Sequence, residues 1–311
     1  MRMPKVYIVL VNYGTPDDTI ECLDSILQNS HREFQVVIVD IQNINHSIKR
    51  ITNWISEKRN SRFELVAAPD NNGFAFANNI GIRHLLSKND ADFIWILNND
   101  TVIEKESISK QLDFYDENSV KNKIGFIGAK TMDYYNRRII QNVGGIFNKR
   151  TKFPDWIGAG KEDHGQYDSI KIVDHVQGAS MFFHISLLDS IGYMDETYFL
   201  YFEDTDWSIK ALKSGFYNMV CTEGIIFHKQ GKSTGVNYLN DKDQLGKKKY
   251  FYFNLLKLYK LYFKHYLPYA YYFLFKKFGG RVYHKEWEEA KLLWQVFWMG
   301  NKQRINVHSQ K

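Results

Sequence analysis

Five apolar residues, Phe93-Ile94-Trp95-Ile96-Leu97, run without transition into Asn98-Asn99-Asp100-Thr101. A strand that is apolar at every position has no face to give to water, so it belongs inside a sheet covered by helices on both sides. The signature recurs upstream: Val6 to Val11 stops at Asn12-Tyr13-Gly14, and Val36 to Val39 stops at Asp40. Between them Thr15-Pro16-Asp17-Asp18 predicts a helix start, with Thr15 as N-cap and Ile20, Leu23, Ile26 and Leu27 at helical spacing. A helix around Ile48 to Glu57, a strand Phe63 to Ala68, a break at Pro69-Asp70-Asn71-Asn72-Gly73 and a helix Phe74 to Leu86 follow. Strands and helices that alternate in units of about 30 residues make a parallel sheet with right-handed crossovers. In such sheets ligands bind beyond the carboxyl ends of the strands, where these polar residues gather.

Beyond residue 124 the spacing changes. Ile124 to Ala129, Ile139 to Val143 and Ile172 to Val176 read as shorter strands. The polar segment Lys149 to Ser169, with Pro154, Gly158, Gly160 and Gly165, reads as the most mobile part of the chain. Gly178 to Phe183 precedes a short helix from Ser186. The two cysteines, Cys22 and Cys221, make no disulfide framework, which fits a reducing compartment. The apolar core Val6 to Val11 is too short for a signal peptide, and no run approaches the roughly 18 apolar residues of a spanning helix. Charge is uneven. Residues 246–311 hold 14 Lys/Arg against 3 Asp/Glu, whereas the rest of the chain is mildly acidic. A composition shift near Asp241 therefore divides a body, 1–240, from a basic aromatic helical extension, 241–311.

Three stretches carry chemistry. Asn98, Asn99 and Asp100 offer oxygen ligands that suit a hard cation, Mg2+ or Mn2+, or else form a local turn on backbone groups. Glu203-Asp204-Thr205-Asp206 crowds three carboxylates at a helix start, behind the aromatic wall Tyr198-Phe199-Leu200-Tyr201-Phe202. The helix dipole favours acids there, and a carboxylate dried by aromatics also makes a general base. Residues one and two apart do not share a helix face, so the three acids cannot all meet one substrate. His228 ends the strand-like Gly224 to Phe227, as a locally satisfied ring or as a ligand. Gly231-Lys232-Ser233-Thr234-Gly235 reads as a flexible, phosphate-accepting loop without P-loop spacing.

Together these residues resemble the family 2 glycosyltransferases, in particular their rhamnosyltransferase-like branch. The motifs are Val9-Leu10-Val11-Asn12-Tyr13, Asn72-Gly73-Phe74-Ala75 with Asn78, Leu97 to Thr101, Gly178-Ala179, Gly192 to Glu196, Phe202 to Asp206, and His228. The resemblance spans roughly Val6 to Ser233 and implies a GT-A (nucleotide-diphospho-sugar transferase) fold: α/β, with a mostly parallel central sheet flanked by helices. It implies a divalent cation (Mg2+ or Mn2+) on Asp100 and His228, and donor contacts from Asn12, Tyr13, Asp40, Asn72, Gly73, Asn78, Asn98 and Asn99. Asp204 falls at the general base, with Glu203 and Asp206 orienting it or binding acceptor. Asn98 replaces the first Asp of the family's metal motif, and Ile41-Gln42-Asn43 departs from the usual Asn and Ser after Asp40.

The implied reaction moves a sugar from a nucleotide-diphosphate sugar to a saccharide or lipid-linked saccharide acceptor, with inversion, in surface polysaccharide synthesis. Two other readings stay open: a sugar nucleotidylyltransferase, whose Gly-rich loop after the first strand is absent here, and a catalytically silent binding protein. In the extension, Tyr250 to Phe275 holds 13 aromatics among 26 residues, interleaved with Lys257, Lys260 and Lys264. Such a segment packs on the body, or lies on an anionic membrane surface, or stacks single-stranded nucleic acid. The membrane ranks first, which places the chain in the cytoplasm at the inner face of the cell membrane. A last helix, Tyr283 to Met299, closes the domain or pairs two copies as a homodimer.

Overall fold

The computed structural model describes residues 2–229 and 241–299. Its first half is β1 (Val6–Asn12), α1 (Pro16–Leu27), β2 (Phe34–Ile41), α2 (Ser47–Lys58), β3 (Phe63–Ala68), α3 (Phe74–Leu86) and β4 (Phe93–Asn98). Next come β5 (Thr101–Ile103), α4 (Ser107–Ser119), β6 (Ile124–Asp133), β7 (Ile140–Asn142), β8 (Gly145–Phe147) and β9 (Pro154–Trp156). The body ends with β10 (Ile172–Val173), β11 (Ser180–His184), α5 (Leu187–Ile191), α6 (Glu203–Lys213) and β12 (Tyr217–His228). Three helices complete the chain: α7 (Asp241–Tyr262), α8 (Leu267–Tyr283) and α9 (Trp287–Met299).

The main sheet has the order β10-β12-β6-β11-β4-β1-β2-β3, with β5 beside β12 and β7 beside β6. Burial on both faces explains the unbroken apolar runs. In β1, Val6, Ile8 and Leu10 enter one core layer, while Tyr7 and Val9 enter the layer on the opposite face. Phe93, Trp95 and Leu97 of β4 likewise oppose Ile94 and Ile96. The chain leaves β1 for β2 and β3 on one side and returns to β4 on the other, all in parallel. The β1/β4 boundary is thus a topological switch point, the place where open α/β sheets bind ligands. Val11 pairs with Asn98 and Asn12 with Asp40, so the expected polar rim is continuous. Antiparallel β11 then lies against β4, with Ser180 opposite Leu97.

Several expectations need correction. β6 continues through Lys130 and Thr131 to Asp133, because the Lys130 ammonium is neutralised by Asp163 and Asp168. Those contacts also fasten the segment 149–169, which reads from sequence as mobile. It contributes β9, paired to β8, and a bridge from Glu162 to Ile139. The strand expected over Ile172 to Val176 shrinks to two residues. The loop Gly231 to Gly235 and the boundary at residue 240 lie outside the described residues. The C-terminal helices share a core with the body: Tyr198, Phe202 and Ile209 pack in one cluster with Leu255, Leu258, Leu274 and Leu293.

One close approach sets the position of the loop after β3. Gly73 sits at φ +94°, and a Cβ there would lie 2.1 Å from the carbonyl oxygen of Phe199. That oxygen accepts a hydrogen bond from the Phe74 N–H at 3.0 Å. The start of α3 therefore rests directly on the aromatic segment before α6. Gly73→Ala is expected to destabilise the fold by about 2 kcal/mol or more, read as a lower melting temperature, because both the clash and the positive φ oppose a side chain.

Candidate active site

At the switch point a buried polar chain ties the strand ends together. The Asn12 amide donates to Asp40 Oδ2 at 2.6 Å, and Asp40 Oδ1 accepts from the Asn43 N–H at 2.9 Å. Asn99 turns inward and donates to the hydroxyls of Thr15 and Thr19, at 2.9 and 2.8 Å. Thr15 stands at the N-cap position of α1 as expected, but its hydroxyl makes no cap bond and serves Asn99 instead. Asn12, Asp40 and Asn99 thus brace the rim from beneath and do not line it. Tyr13, Asn72 and Asn98 keep exposed surface at the rim. Asn78 is buried; its amide nitrogen donates to the Phe74 carbonyl, and its Oδ1 has no hydrogen-bond partner among the described residues.

Asp100 and His228 meet, as the resemblance implies. Pairing of β5 with β12 sets His228 opposite Thr101, and His228 Nε2 lies 3.1 Å from Asp100 Oδ1 and 3.4 Å from the Asn98 amide. Gln141, which no sequence motif marks, fixes the ring. Its Nε2 donates to the His228 carbonyl at 2.7 Å, so its Oε1 is the atom 2.9 Å from His228 Nδ1. An amide oxygen only accepts, so Nδ1 carries a proton, and Nε2 is the ring nitrogen turned toward Asp100. The carboxylate and the ring nitrogen thus face each other at hydrogen-bond distance at the rim. Among the described residues no three His, Cys, Asp or Glu side chains converge to enclose an ion.

The three acids of α6 have three different surroundings. Asp206 is fully buried; Tyr198 and Tyr262 donate to its Oδ1 at 3.3 and 2.8 Å, and Lys210 pairs with its Oδ2 at 2.9 Å. It faces the C-terminal helices, so the expected acceptor contact gives way to a link between α6 and α7. Glu203 is 6% exposed, and its Oε2 has no hydrogen-bond partner among the described residues. Burial, reinforced by Asp204, pushes its carboxyl up to about 8. Asp204 alone keeps partial exposure. Its Oδ2 accepts from the Gly178 N–H at 2.8 Å and its Oδ1 from the Thr205 N–H at 2.6 Å. Burial raises its pKa, and these hydrogen bonds oppose that rise.

One strand end joins the two clusters. Gly178 holds Asp204, while the carbonyl of the next residue, Ala179, accepts from the Asn98 N–H at 3.0 Å. The turn leading into α6 is strained: Tyr201 and Phe202 lie at φ +69° and +71°. Each such residue costs about 1–3 kcal/mol, and strain of this kind collects at functional sites. Asn79 is a further residue without a sequence cue. It donates to the Met194 carbonyl at 3.0 Å and to Glu196 at 2.8 Å, which fixes the approach to the aromatic wall.

The family model for "Glycosyl transferase family 2" matches residues 7–187, more than half of the chain. The chain belongs to this family. Its strand ends, Gly178 and Ala179 all lie within the matched region, while α6 and His228 lie beyond it. Among curated proteins it is similar to the low-salt glycan biosynthesis hexosyltransferase Agl10 of Haloferax volcanii, 24% identical over 228 residues. That match covers 72% of this chain and 66% of Agl10, just under two thirds of its length. An uncharacterized glycosyltransferase of Haemophilus influenzae is 30% identical over 118 residues, 38% of this chain and 45% of that protein. Among solved structures, the mannosyltransferase PcManGT of Pyrobaculum calidifontis, in complex with GDP-Man and Mn2+, aligns with a TM-score of 0.57 at 13% identity. The alignment covers 96% of this chain and 75% of PcManGT. S. aureus TarS 1-349 with UDP aligns at 0.51 and 16% identity, over 81% and 65% of the two chains. The fold is GT-A.

The surroundings of Glu203 give a pH test. Its folded pKa of about 8 stands above the ordinary 4.5, so the native state favours the protonated acid. Its contribution to stability is full below about pH 4.5 and is lost as pH rises toward 8. Glu203→Gln, a permanently neutral isostere, is expected to melt with the wild type near pH 4 and above it at pH 8. The gap should be on the order of a few kcal/mol, measured by thermal unfolding across pH.

Proposed function

We propose that this chain is an inverting hexosyltransferase that uses a nucleotide-diphosphate sugar. The observation that carries the reading is the join at Gly178 and Ala179, which sets the only partly exposed acid of α6 beside the strand end that leads to Asp100. The acceptor hydroxyl attacks the anomeric carbon while Asp204 takes its proton, and the nucleoside diphosphate leaves from the opposite face. One base, with no second positioned nucleophile among the described residues, favours a single displacement with inversion. Glu203 beside it, pushed toward its protonated form by burial, limits the repulsion at Asp204, and Asp206 holds the helix. Agl10 and PcManGT, named for hexosyl and mannosyl transfer, support a hexose donor.

His228 Nε2 and Asp100 would hold the divalent cation, Mg2+ or Mn2+, with Asn98 beside them; Gln141 on Nδ1 leaves Nε2 as the ring nitrogen that would ligate it. When bound, the cation neutralises charge on the departing diphosphate. PcManGT bound to GDP-Man and Mn2+ supports the same class of donor and ion. The test is a panel of nucleotide sugars with Mn2+ or Mg2+, scored for release of nucleoside diphosphate. Asp204→Asn should lower transfer at least ~100-fold with donor affinity retained, since the base alone is removed. Asp100→Ala and excess chelator should each abolish turnover. Full activity in chelator would remove the cation, and near-normal transfer by Asp204→Asn would remove the base.

The acceptor is a saccharide, free or lipid-linked, in surface polysaccharide synthesis, and the reaction is placed at the cytoplasmic face of the membrane. The outer surface of the C-terminal helices supports this. Trp287, Trp294 and Trp298, spaced seven and four residues apart on α9, are 61%, 53% and 61% exposed. Tyr272 and Phe275 of α8 are exposed too, with Lys276, Lys277 and Lys291 among them. Amphipathic aromatics interleaved with lysine suit the headgroup layer of anionic lipid. No helix among the described residues is long and apolar enough to cross a membrane. Flotation with anionic vesicles is expected, weakening as salt rises, and the triple change of these tryptophans to serine should reduce it at all salt concentrations. Equal flotation of wild type and triple variant would refute the membrane reading.

A further inference from the structure

The strained turn before Asp204 has a partner far along the chain. Tyr201 and Phe202 are bulky residues in consecutive left-handed conformations, a pairing that side chains with a Cβ rarely adopt. Asn254, on α7, donates its amide to the Leu200 carbonyl at 2.9 Å and to the Tyr201 carbonyl at 3.1 Å. Both contacts are carbonyls, so the orientation of the amide is unambiguous: its NH2 faces the turn. Asn254 is 7% exposed, and Phe253, Leu255 and Leu256 around it are buried in the apolar cluster of the C-terminal helices. A buried amide among apolar neighbours is unfavourable unless hydrogen-bonded, and the carbonyls it satisfies belong to the turn. The turn is held from the other side by the Phe74 N–H on the Phe199 carbonyl. Its last residue, Phe202, starts α6 by accepting the Asp206 N–H at 2.8 Å, and Asp204 lies inside that first turn.

We infer that Asn254 is a positioning residue for Asp204: it locks the left-handed turn that sets where α6 begins and hence where the carboxylate points. The inference rests on Asp204 as the base. It makes the C-terminal extension part of the acceptor side of the site.

The test is a double-mutant cycle on the full chain. Asn254→Leu keeps the size of the side chain and suits the apolar cluster, but removes the donor. The single variant should lower kcat for transfer by about 100-fold, the scale of a misplaced catalytic group. Nucleotide-sugar affinity should change far less than kcat, since Asn12, Asp40 and Asn99 stand on strand ends that the turn does not touch. Placed on Asp204→Asn, the same substitution should have almost no further effect, because it acts through the carboxylate already lost. A merely structural role would lower both backgrounds equally. Asn254→Ser, smaller and retaining one hydroxyl donor, should give a smaller fall in the same cycle and serves if the leucine variant does not fold. Wild-type kcat in a folded Asn254 variant, or equal losses on both backgrounds, overturns the inference and leaves Asp204 in place. Normal transfer by Asp204→Asn overturns the base and the inference together.

Discussion

Two backbone groups, the Gly178 N–H and the Ala179 carbonyl, hold the halves of the site in register. One accepts no substitute for geometry: Asp204 can bond the Gly178 N–H only if α6 starts where it does. The other lies one residue before β11 and extends its pairing with β4 to Asn98, after which the chain turns into Asp100. Because antiparallel pairing fixes β11 to within a residue, a slip there would displace Asp204 relative to Asp100 and His228. The switch point thus supplies the place, and this short ladder supplies the spacing.

Around that join, charge is distributed with restraint. A nucleotide-sugar donor, as proposed, would bring negative charge, yet three carboxylates begin α6. Glu203 avoids repulsion by keeping its proton, and Asp206 is matched by Lys210 and two tyrosine hydroxyls. On the other flank, the buried Lys229 ammonium pairs with Asp18 and Glu21, and its N–H donates to the Asp100 carbonyl. What remains at the rim is Asp204, held by two backbone N–H groups, and Asp100 facing the His228 ring.

Much of this was legible in the chain. Phe63–Ala68 and Phe74–Leu86 have the bounds expected of them, because a Pro-Asp-Asn-Asn-Gly break separates a β-rich run from a helical one. The rim residues Asn12, Asp40 and Asn98 stand out because polar side chains interrupt apolar strands. Their division into bracing and exposed groups was not legible, since it depends on Thr15 and Thr19 across the β1–α1 turn. Lys130 hid the length of β6 for the same reason: a charged residue reads as a strand end until its partners, over thirty residues on, are in place. Gln141, Asn79 and Asn254 act through backbone carbonyls of distant segments. Nothing in spacing or composition announces such partners.

The link between α7 and the turn before α6 also has a consequence in time. A ribosome releases the donor half, β1 to β4, long before residue 254 emerges, and domains tend to fold from the N-terminal side during synthesis. On the proposed role of Asn254, the nascent chain can build its nucleotide rim while the turn carrying Asp204 still samples other conformations. Competence to transfer would then wait for the same helices that bear the exposed tryptophans, so a growing chain would not act before that aromatic surface exists.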